Sequence, residues 1–282
     1  MPHRNRFCIA IISVVVFSGL CSAQQSTGGQ SFKPRADITR VGNSIAVDAS
    51  EPRPLKQAAE AIAEEHGWRV DYEDPIYDPM TETVDANDAS WIASHPAEFR
   101  VKLPSGHELH AEFSVSTVEN FKLDQKSTLG SLVYASNDSE NPGKFTVLSE
   151  ADGGFAISGI TGSPSGPVLS TPISLPLVSR SLHQTLDLVF EQLKVKTYTT
   201  IFLSNAPLSL LDHVQVTVGG EQVPARDLLR SALNQSGITL YWAMLFDPTF
   251  SQYHFNIART VLAYQDAQGN RRLVPVDRPN RR

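Results

Sequence analysis

Cysteine is nearly absent from this sequence, and its two cysteines, Cys8 and Cys21, both lie within the first 23 residues. From residue 24 onward the chain therefore contains no thiol. This absence excludes a disulfide framework, a zinc–thiolate site and a cysteine nucleophile. A cysteine-free exported chain fits a bacterial periplasm or cell exterior better than a secretory route that depends on disulfides.

Long apolar runs are also missing. The apolar run at residues 7–17 is shorter than the about 20 residues that a membrane-spanning helix needs. It follows Arg4 and Arg6 and precedes small residues that end at Ala23, which is the pattern of a secretory signal peptide over residues 1–23. We therefore expect an exported protein, periplasmic or secreted, with no transmembrane segment after cleavage.

Basic residues are fewer than acidic ones, 24 against 30. Removal of Arg4 and Arg6 with the signal peptide leaves 22 against 30, a net charge of −8. Nucleic acid is an unfavourable partner for such a chain, because its binding depends on Lys and Arg that neutralise phosphates.

Familiar catalytic motifs are missing as well. Residues 162–166, GSPSG, have proline where the G-x-S-x-G motif needs its nucleophile, and no P-loop or dinucleotide-binding motif occurs. His107 and His110 are three residues apart in a predicted hairpin and so point to opposite faces, whereas a metalloprotease needs two histidines four apart on a helix. We expect surface histidines here, and no catalytic residue, cofactor or metal site.

What the sequence does contain is one layout that occurs twice. Residues 54–73, PLKQAAEAIAEEHGWRVDYE, and residues 224–243, PARDLLRSALNQSGITLYWA, each give a proline, an amphipathic helix, a stopping glycine and a strand. The full pattern predicts an α+β fold of two related halves, each with β-α-β units that pack two helices on a small mixed sheet. The predicted segments are a flexible lead at 24–42, a first half at 43–160, a linker at 161–172, a second half at 173–265 and a polar basic tail at 266–282.

Two hairpins are predicted within the first half. Residues 97–116 alternate apolar and polar side chains on both sides of Pro104, Ser105 and Gly106. Residues 144–160 do the same around a turn at 151–154.

Residues 172–262 resemble the secretin and TonB short N-terminal (STN) domain. The resemblance rests on leucines at 182, 186 and 193, the V-x-V strand at 214–218, the proline-led helix with Leu228 and Leu229, and the sequence SGITLY at 236–241. Residues 44–160 resemble the same pattern more loosely. No secretin or receptor domain follows residue 265, so the resemblance implies a protein-contact module that is used alone, and it carries no catalytic residues.

Aromatic side chains of the last predicted strands form one candidate contact site. Alternation along a strand sends about half of them to the core and leaves the rest for a partner. The possible partner contacts are Trp242, Phe246, Phe250, Tyr253 and Phe255.

An acidic, proline-punctuated loop forms the second candidate contact site. It has no Lys or Arg between Arg69 and Arg100, so a basic partner surface would suit it. A calcium site is less favoured, because residues 85–90, DANDAS, lack the glycine and the distal glutamate of the known calcium-binding loop. The acidic residues are Asp71, Glu73, Asp74, Asp78, Glu82, Asp85 and Asp88.

Together these features predict a non-catalytic exported protein that acts as a protein–protein interaction module, with an envelope or secreted protein as its partner. Two alternatives stay open. One is a hydrolase with dispersed carboxylates, since a glycosidase needs only two. The other is a small-ligand carrier that uses the groove between the halves. The strands in residues 253–265 are the first candidate for pairing with a partner strand.

Overall fold

The computed structural model describes residues 36–41, 44–50, 52–87, 100–114, 124–160 and 166–276. The predicted signal peptide and Asp88 lie outside the described residues. The described residues combine five α-helices with fifteen strands, and the predicted α+β class is confirmed. The helices are α1 (Pro54–His66), α2 (Gln125–Asp138), α3 (Leu182–Thr197), α4 (Leu208–His213) and α5 (Ala225–Asn234). The strands are β1 (Ala36–Val41), β2 (Ser44–Ala49), β3 (Val70–Glu73), β4 (Thr83–Asp85), β5 (Lys102–Pro104), β6 (Leu109–Ser114), β7 (Lys144–Ser149), β8 (Phe155–Ile160), β9 (Pro172–Ser181), β10 (Thr200–Leu203), β11 (Gln215–Pro224), β12 (Leu240–Asp247), β13 (Gln252–Arg259), β14 (Val261–Gln265) and β15 (Arg271–Pro275).

Helices α1 and α3 begin where their sequences predict, whereas α5 ends at Asn234, before the predicted stop at Gly237. Pro54 is the first residue of α1, and Gly67 ends that helix with φ of 64°, a left-handed conformation that glycine adopts without strain. Ser181 starts α3 with a capping box, in which its side chain accepts a hydrogen bond from the Gln184 amide and Gln184 bonds back to the Ser181 amide. The short helix α4 was not predicted.

A mixed six-stranded sheet forms the centre of the fold, in the order β10-β13-β12-β3-β8-β7. Strands β3, β7 and β8 come from the predicted first half, and β10, β12 and β13 come from the second. They join where β12 runs parallel to β3, with Ala243 opposite Tyr72. The described residues all belong to one compact unit, Pro34–Arg282. That the two halves are related stays a prediction, but they share one sheet.

Alternation along β12 gives this sheet two apolar cores, one on each face. Trp242 and Met244 point into a core with α3 and α5, whereas Ala243 points into a core with α1 and α2. The first core is bounded by the β9–β11 ribbon and the second by the three-stranded sheet β1-β2-β6. Strand β3 is apolar on the second face only, because Asp71 and Glu73 lie on the first.

The structure corrects several predicted boundaries and pairings. Residues 100–114, the described part of the hairpin predicted at 97–116, do not pair with each other, because β5 pairs with β4 and β6 pairs with β2. Alternation identifies the faces of a strand but not its neighbour, which explains the error. The predicted flexible lead includes β1, which pairs with β2, and the predicted tail includes β15, which pairs with β14. The hairpin of β7 and β8 is confirmed.

Candidate functional site

Four of the five aromatic residues proposed as partner contacts are buried. Trp242, Phe246, Tyr253 and Phe255 all lie in the core beneath α3 and α5, and the Trp242 and Phe255 rings stack with centroids 5.6 Å apart. Only Phe250, in the turn between β12 and β13, is exposed, at 60%. The predicted aromatic contact surface is therefore corrected to this one side chain, because helices cover the sheet face on which the other four lie.

The acidic loop is also corrected, because three of its seven acidic residues do not belong to a loop. Asp71 and Glu73 lie on β3 and Asp74 follows it directly, and all three are buried. Strand β3 crosses the middle of the sheet, so these carboxylates cannot face a partner.

The other described carboxylates of that segment are hydrogen-bonded or ion-paired within the protein. Asp78 accepts hydrogen bonds from the Met80 amide at 2.9 Å and the Thr81 hydroxyl at 2.9 Å, and these bonds lower its pKa. Glu82 accepts from the Gly143 amide at 2.9 Å. Asp85 lies 3.4 Å from the guanidinium of Arg100.

The buried carboxylates of β3 pair with two arginines of α5. Glu73 Oε2 lies 2.9 Å from Arg226 Nη2 and accepts a hydrogen bond from the Ser158 hydroxyl at 2.7 Å. Its Oε1 accepts from the Leu169 amide at 3.0 Å. Burial raises the pKa of Glu73, and Arg226 acts against that rise. Both oxygens of this carboxylate are thus occupied by donors.

Arg230, one turn further along α5, pairs with Asp71 and also donates to the Leu240 carbonyl at 2.9 Å. Asp71 Oδ1 accepts from the Trp242 amide at 3.0 Å. Arg230 Nε also lies 3.3 Å from Glu150 Oε2, in the turn between β7 and β8. The pairing therefore holds α5, β3, β12 and this turn together.

Arg69, just before β3, shares Glu150 with Arg230. Its Nη2 lies 2.5 Å from Glu150 Oε2, and its Nη1 lies 2.5 Å from Asp152 Oδ2. Asn234 of α5 donates to Asp152 at 2.7 Å. Burial alone would raise the pKa of Asp152, but the hydrogen bonds from Arg69 and Asn234 outweigh it and lower this pKa to about 2.

Asp74 forms a separate pair at the other end of β3. Arg53 Nε lies 2.7 Å from Asp74 Oδ2, and Tyr77 donates its hydroxyl hydrogen to Oδ1 at 2.9 Å. Burial and the carboxylate of Asp74 raise the pKa of Tyr77 well above its usual range. These buried pairs position elements of the fold. The two charges of each pair neutralise each other inside the protein.

The sequence contains a signal for these pairs. Asp71 and Glu73 are two apart and so share one strand face, and Arg226 and Arg230 are four apart and so share one helix face. Matching spacings of opposite charge favour an ionic contact between a strand and a helix. The sequence alone does not say which strand lies beneath which helix.

The second face of the sheet is partly open where β10, β13 and β12 meet. Register places Phe202 of β10, His254 of β13 and Leu245 of β12 side by side on this face. Phe202 is 47% exposed, and its ring centroid lies 6.4 Å from that of His254. We call Phe202, Leu245 and His254 the open patch.

A polar group of serine, histidine and aspartate borders the open patch. Ser204 Oγ lies 2.6 Å from His254 Nδ1, and His254 Nε2 lies 3.5 Å from Asp247 Oδ2. In serine hydrolases the aspartate holds Nδ1 and the serine faces Nε2, so the order is reversed here. The Ser204 amide donates to the Phe255 carbonyl at 3.0 Å, and the Asn205 amide donates to Asn256 at 3.2 Å. Neither amide is free to stabilise an oxyanion.

Strand β10 is one edge of the six-stranded sheet, and in the described part of the chain only β13 pairs with it. Of the two strands in the expected docking segment, β13 lies between β10 and β12, so the prediction was wrong for β13, whereas β14 pairs only with β15 among the described residues. An edge strand presents backbone donors and acceptors to which a further strand can bind.

Two other sequence predictions concern histidines and metals. His107 and His110 are both exposed, and His110 Nδ1 lies 2.7 Å from Asp48 Oδ1 across the β2–β6 pair. Among the described residues, no three His, Cys, Asp or Glu side chains group in a way that could hold a metal ion. Of the helices in the same part of the chain, none combines the length and the apolar character needed to cross a membrane.

The STN resemblance stays a prediction. No protein-family model, curated protein or solved structure matches this chain, so its function is inferred from the sheet edge and the side chains beside it.

Proposed function

We propose that this protein is a non-catalytic exported interaction module that binds an envelope or secreted protein through the edge of its central sheet. The observation that carries the proposal is β10, an edge strand that contributes the half-exposed ring of Phe202 to the open patch. Partner segments add to such edges through main-chain hydrogen bonds, and neighbouring side chains provide specificity. Exposed aromatic residues are frequent energetic anchors of protein contacts.

The geometry favours contact over hydrolysis at this place. Ser204, His254 and Asp247 lie within contact distance, but the amides of Ser204 and Asn205 are already bonded and the histidine ring faces its partners in reverse order. The alternative of a hydrolase with dispersed carboxylates has little support in β3, because arginines neutralise Asp71 and Glu73 there. We therefore assign the serine and histidine to the polar rim of the contact.

The geometry also gives little support to a small-ligand carrier. The cavity at the junction of the predicted halves, between α1 and β12, has a volume of about 30 Å³, whereas ligand pockets usually measure ~300 Å³ or more. A groove of about 690 Å³ beside α1 is open, and the ion pairs Arg40–Glu65 and Arg271–Glu64 line it. Such a groove favours water over an apolar ligand.

Affinity capture from the envelope fraction of the exporting organism tests the proposal. The bait is the exported chain, compared with Phe202→Ala and with Leu188→Ala, a control of similar exposure, at 42%, on α3. Loss of an interface anchor weakens binding by about 2 kcal/mol, or roughly 30-fold. We expect that loss for Phe202→Ala and wild-type binding for the control. Equal binding of all three baits would contradict the proposed surface.

Export is tested separately. The protein recovered from the envelope or the medium is expected to begin at Gln24, as measured by intact mass. A full-length chain confined to the cytoplasm would contradict the export prediction.

A further inference from the structure

The ionic cluster beneath α5 contains one more carboxylate than it has guanidinium groups. Arg69, Arg226 and Arg230 face four acids: Asp71, Glu73, Glu150 and Asp152. If every group were ionised, one negative charge in this largely buried cluster would have no counterion among the described residues. Such an excess charge is costly in a low-dielectric interior, and the usual response is to bind a proton.

Hydrogen bonding indicates which of the four acids is in excess. Both oxygens of Glu73 have donors, Asp71 has Arg230 and the Trp242 amide, and Asp152 has Arg69 and Asn234. Glu150 differs, because its Oε2 shares Arg69 and Arg230 with the other acids, while its Oε1 is buried and has no hydrogen-bond partner among the described residues. Each arginine would retain a carboxylate partner without Glu150.

We propose that the carboxyl group of Glu150 is protonated in the folded protein in mildly acidic medium, and that its ionisation weakens the contact between the β7–β8 turn and α5. The charged groups that face Glu150 are Arg69 and Asp71 from the β3 segment, Arg226 and Arg230 from α5, and Asp152 from its own turn. Burial raises the pKa of Glu150, and the nearby Asp152 adds to the rise while Arg69 opposes it. The contact joins the two predicted halves, so its strength would control how firmly they are held together.

The sign of the pH dependence follows from the raised pKa of Glu150. A carboxyl group with a higher pKa in the folded state stabilises that state fully below its unfolded pKa, and the contribution is lost as pH rises through the folded pKa. Inside that window each unit of pH favours opening by about tenfold, because opening releases one proton. Acid is thus expected to tighten this junction, and neutral medium to loosen it.

Hydrogen exchange as a function of pH tests the proposal on the intact mature protein. Protection factors of the α5 amides are expected to fall with rising pH in the wild type, by up to about tenfold per unit in the window. Glu150→Gln, which copies the protonated group, is expected to remove most of this fall and to protect α5 at neutral pH at least as well as the wild type does. Glu73→Gln is the matched control, because it disrupts a carboxylate with a full set of donors, and it is expected to lower protection of α5.

Direct titration gives a second, independent measurement. The side-chain carboxyl carbon of Glu150, followed by NMR, is expected to titrate above the ordinary glutamate range. Titration in the ordinary range would overturn the proposal. So would a Glu150→Gln protein that loses protection of α5 at neutral pH as strongly as Glu73→Gln does.

Discussion

The pair of Glu73 and Arg226 offers the sharpest test of the fold. Glu73 is fully buried, and its cationic partner is Arg226, at 2.9 Å. Arg226→Met keeps much of the side-chain volume but leaves the carboxylate with the Ser158 hydroxyl and backbone amides as its donors. Removal of one partner from a buried pair costs about 3–5 kcal/mol, because the remaining charge has no compensation.

Urea unfolding measured by circular dichroism checks this value. With a denaturant slope of about 3 kcal/mol per M, the midpoint is expected to fall by about 1–2 M. The loss of unfolding free energy should depend on pH, because the Glu73 carboxylate becomes neutral when it binds a proton. Its pKa is already raised by burial and rises further without Arg226, so the variant is expected to be less impaired at pH 5 than at pH 8.

A double variant separates the charge from the packing. Glu73→Gln combined with Arg226→Met removes both charges, and we expect it to recover most of the stability that Arg226→Met loses. The reasoning is refuted if Arg226→Met stays within about 0.5 kcal/mol of the wild type, the range typical of neutral surface changes. It is also refuted if the loss is the same at both pH values and the double variant recovers nothing.

Three further outcomes are expected. Trp242→Ala should lose about 3–5 kcal/mol of unfolding free energy and Phe250→Ala less than about 0.5, and equal losses in urea melts would contradict their assigned burial. Gly154→Ala should lower the thermal midpoint, because a Cβ there would overlap the Arg69 guanidinium, whereas Gly130→Ala, within α2 and with open space around it, should stabilise by about 0.5–1 kcal/mol. Asp152, with its pKa lowered to about 2, contributes stability that is present above its unfolded pKa and lost as pH falls through about 2. Asp152→Asn should therefore reduce the fall in unfolding free energy at acid pH. An unchanged fall in pH-dependent unfolding would contradict this expectation.

The sequence predicted the local elements of this fold well. The amphipathic stripe from Pro54 to His66, with glycine behind it, predicts α1 in full, and the leucine spacing after Ser181 predicts α3 to within two residues. The turn at 151–154 predicts the β7–β8 hairpin. These features depend on side chains within one or two turns of each other, which the order of residues fixes directly.

The candidate contact site could be predicted only in part. Alternation indicates that Trp242 and Phe246 share a face, but the sequence does not say that α3 and α5 cover it. Phe202 is not among the aromatic contacts that the sequence predicts, although its exposure follows from the position of β10 at the sheet edge. Whether a side chain on a strand meets water depends on which strand and which helix come next to it.

By itself, the sequence determined the mixture of helices and strands, the absence of thiols after residue 23 and the excess of acidic residues. Tertiary structure alone decided that one sheet joins both predicted halves, that Asp71 and Glu73 are buried against α5, and that β10 rather than β13 is an edge. The physical reason is distance along the chain. Helix periodicity and turn chemistry act over a few residues, whereas strand pairing and ionic contacts can join residues more than 150 positions apart, such as Glu73 and Arg226.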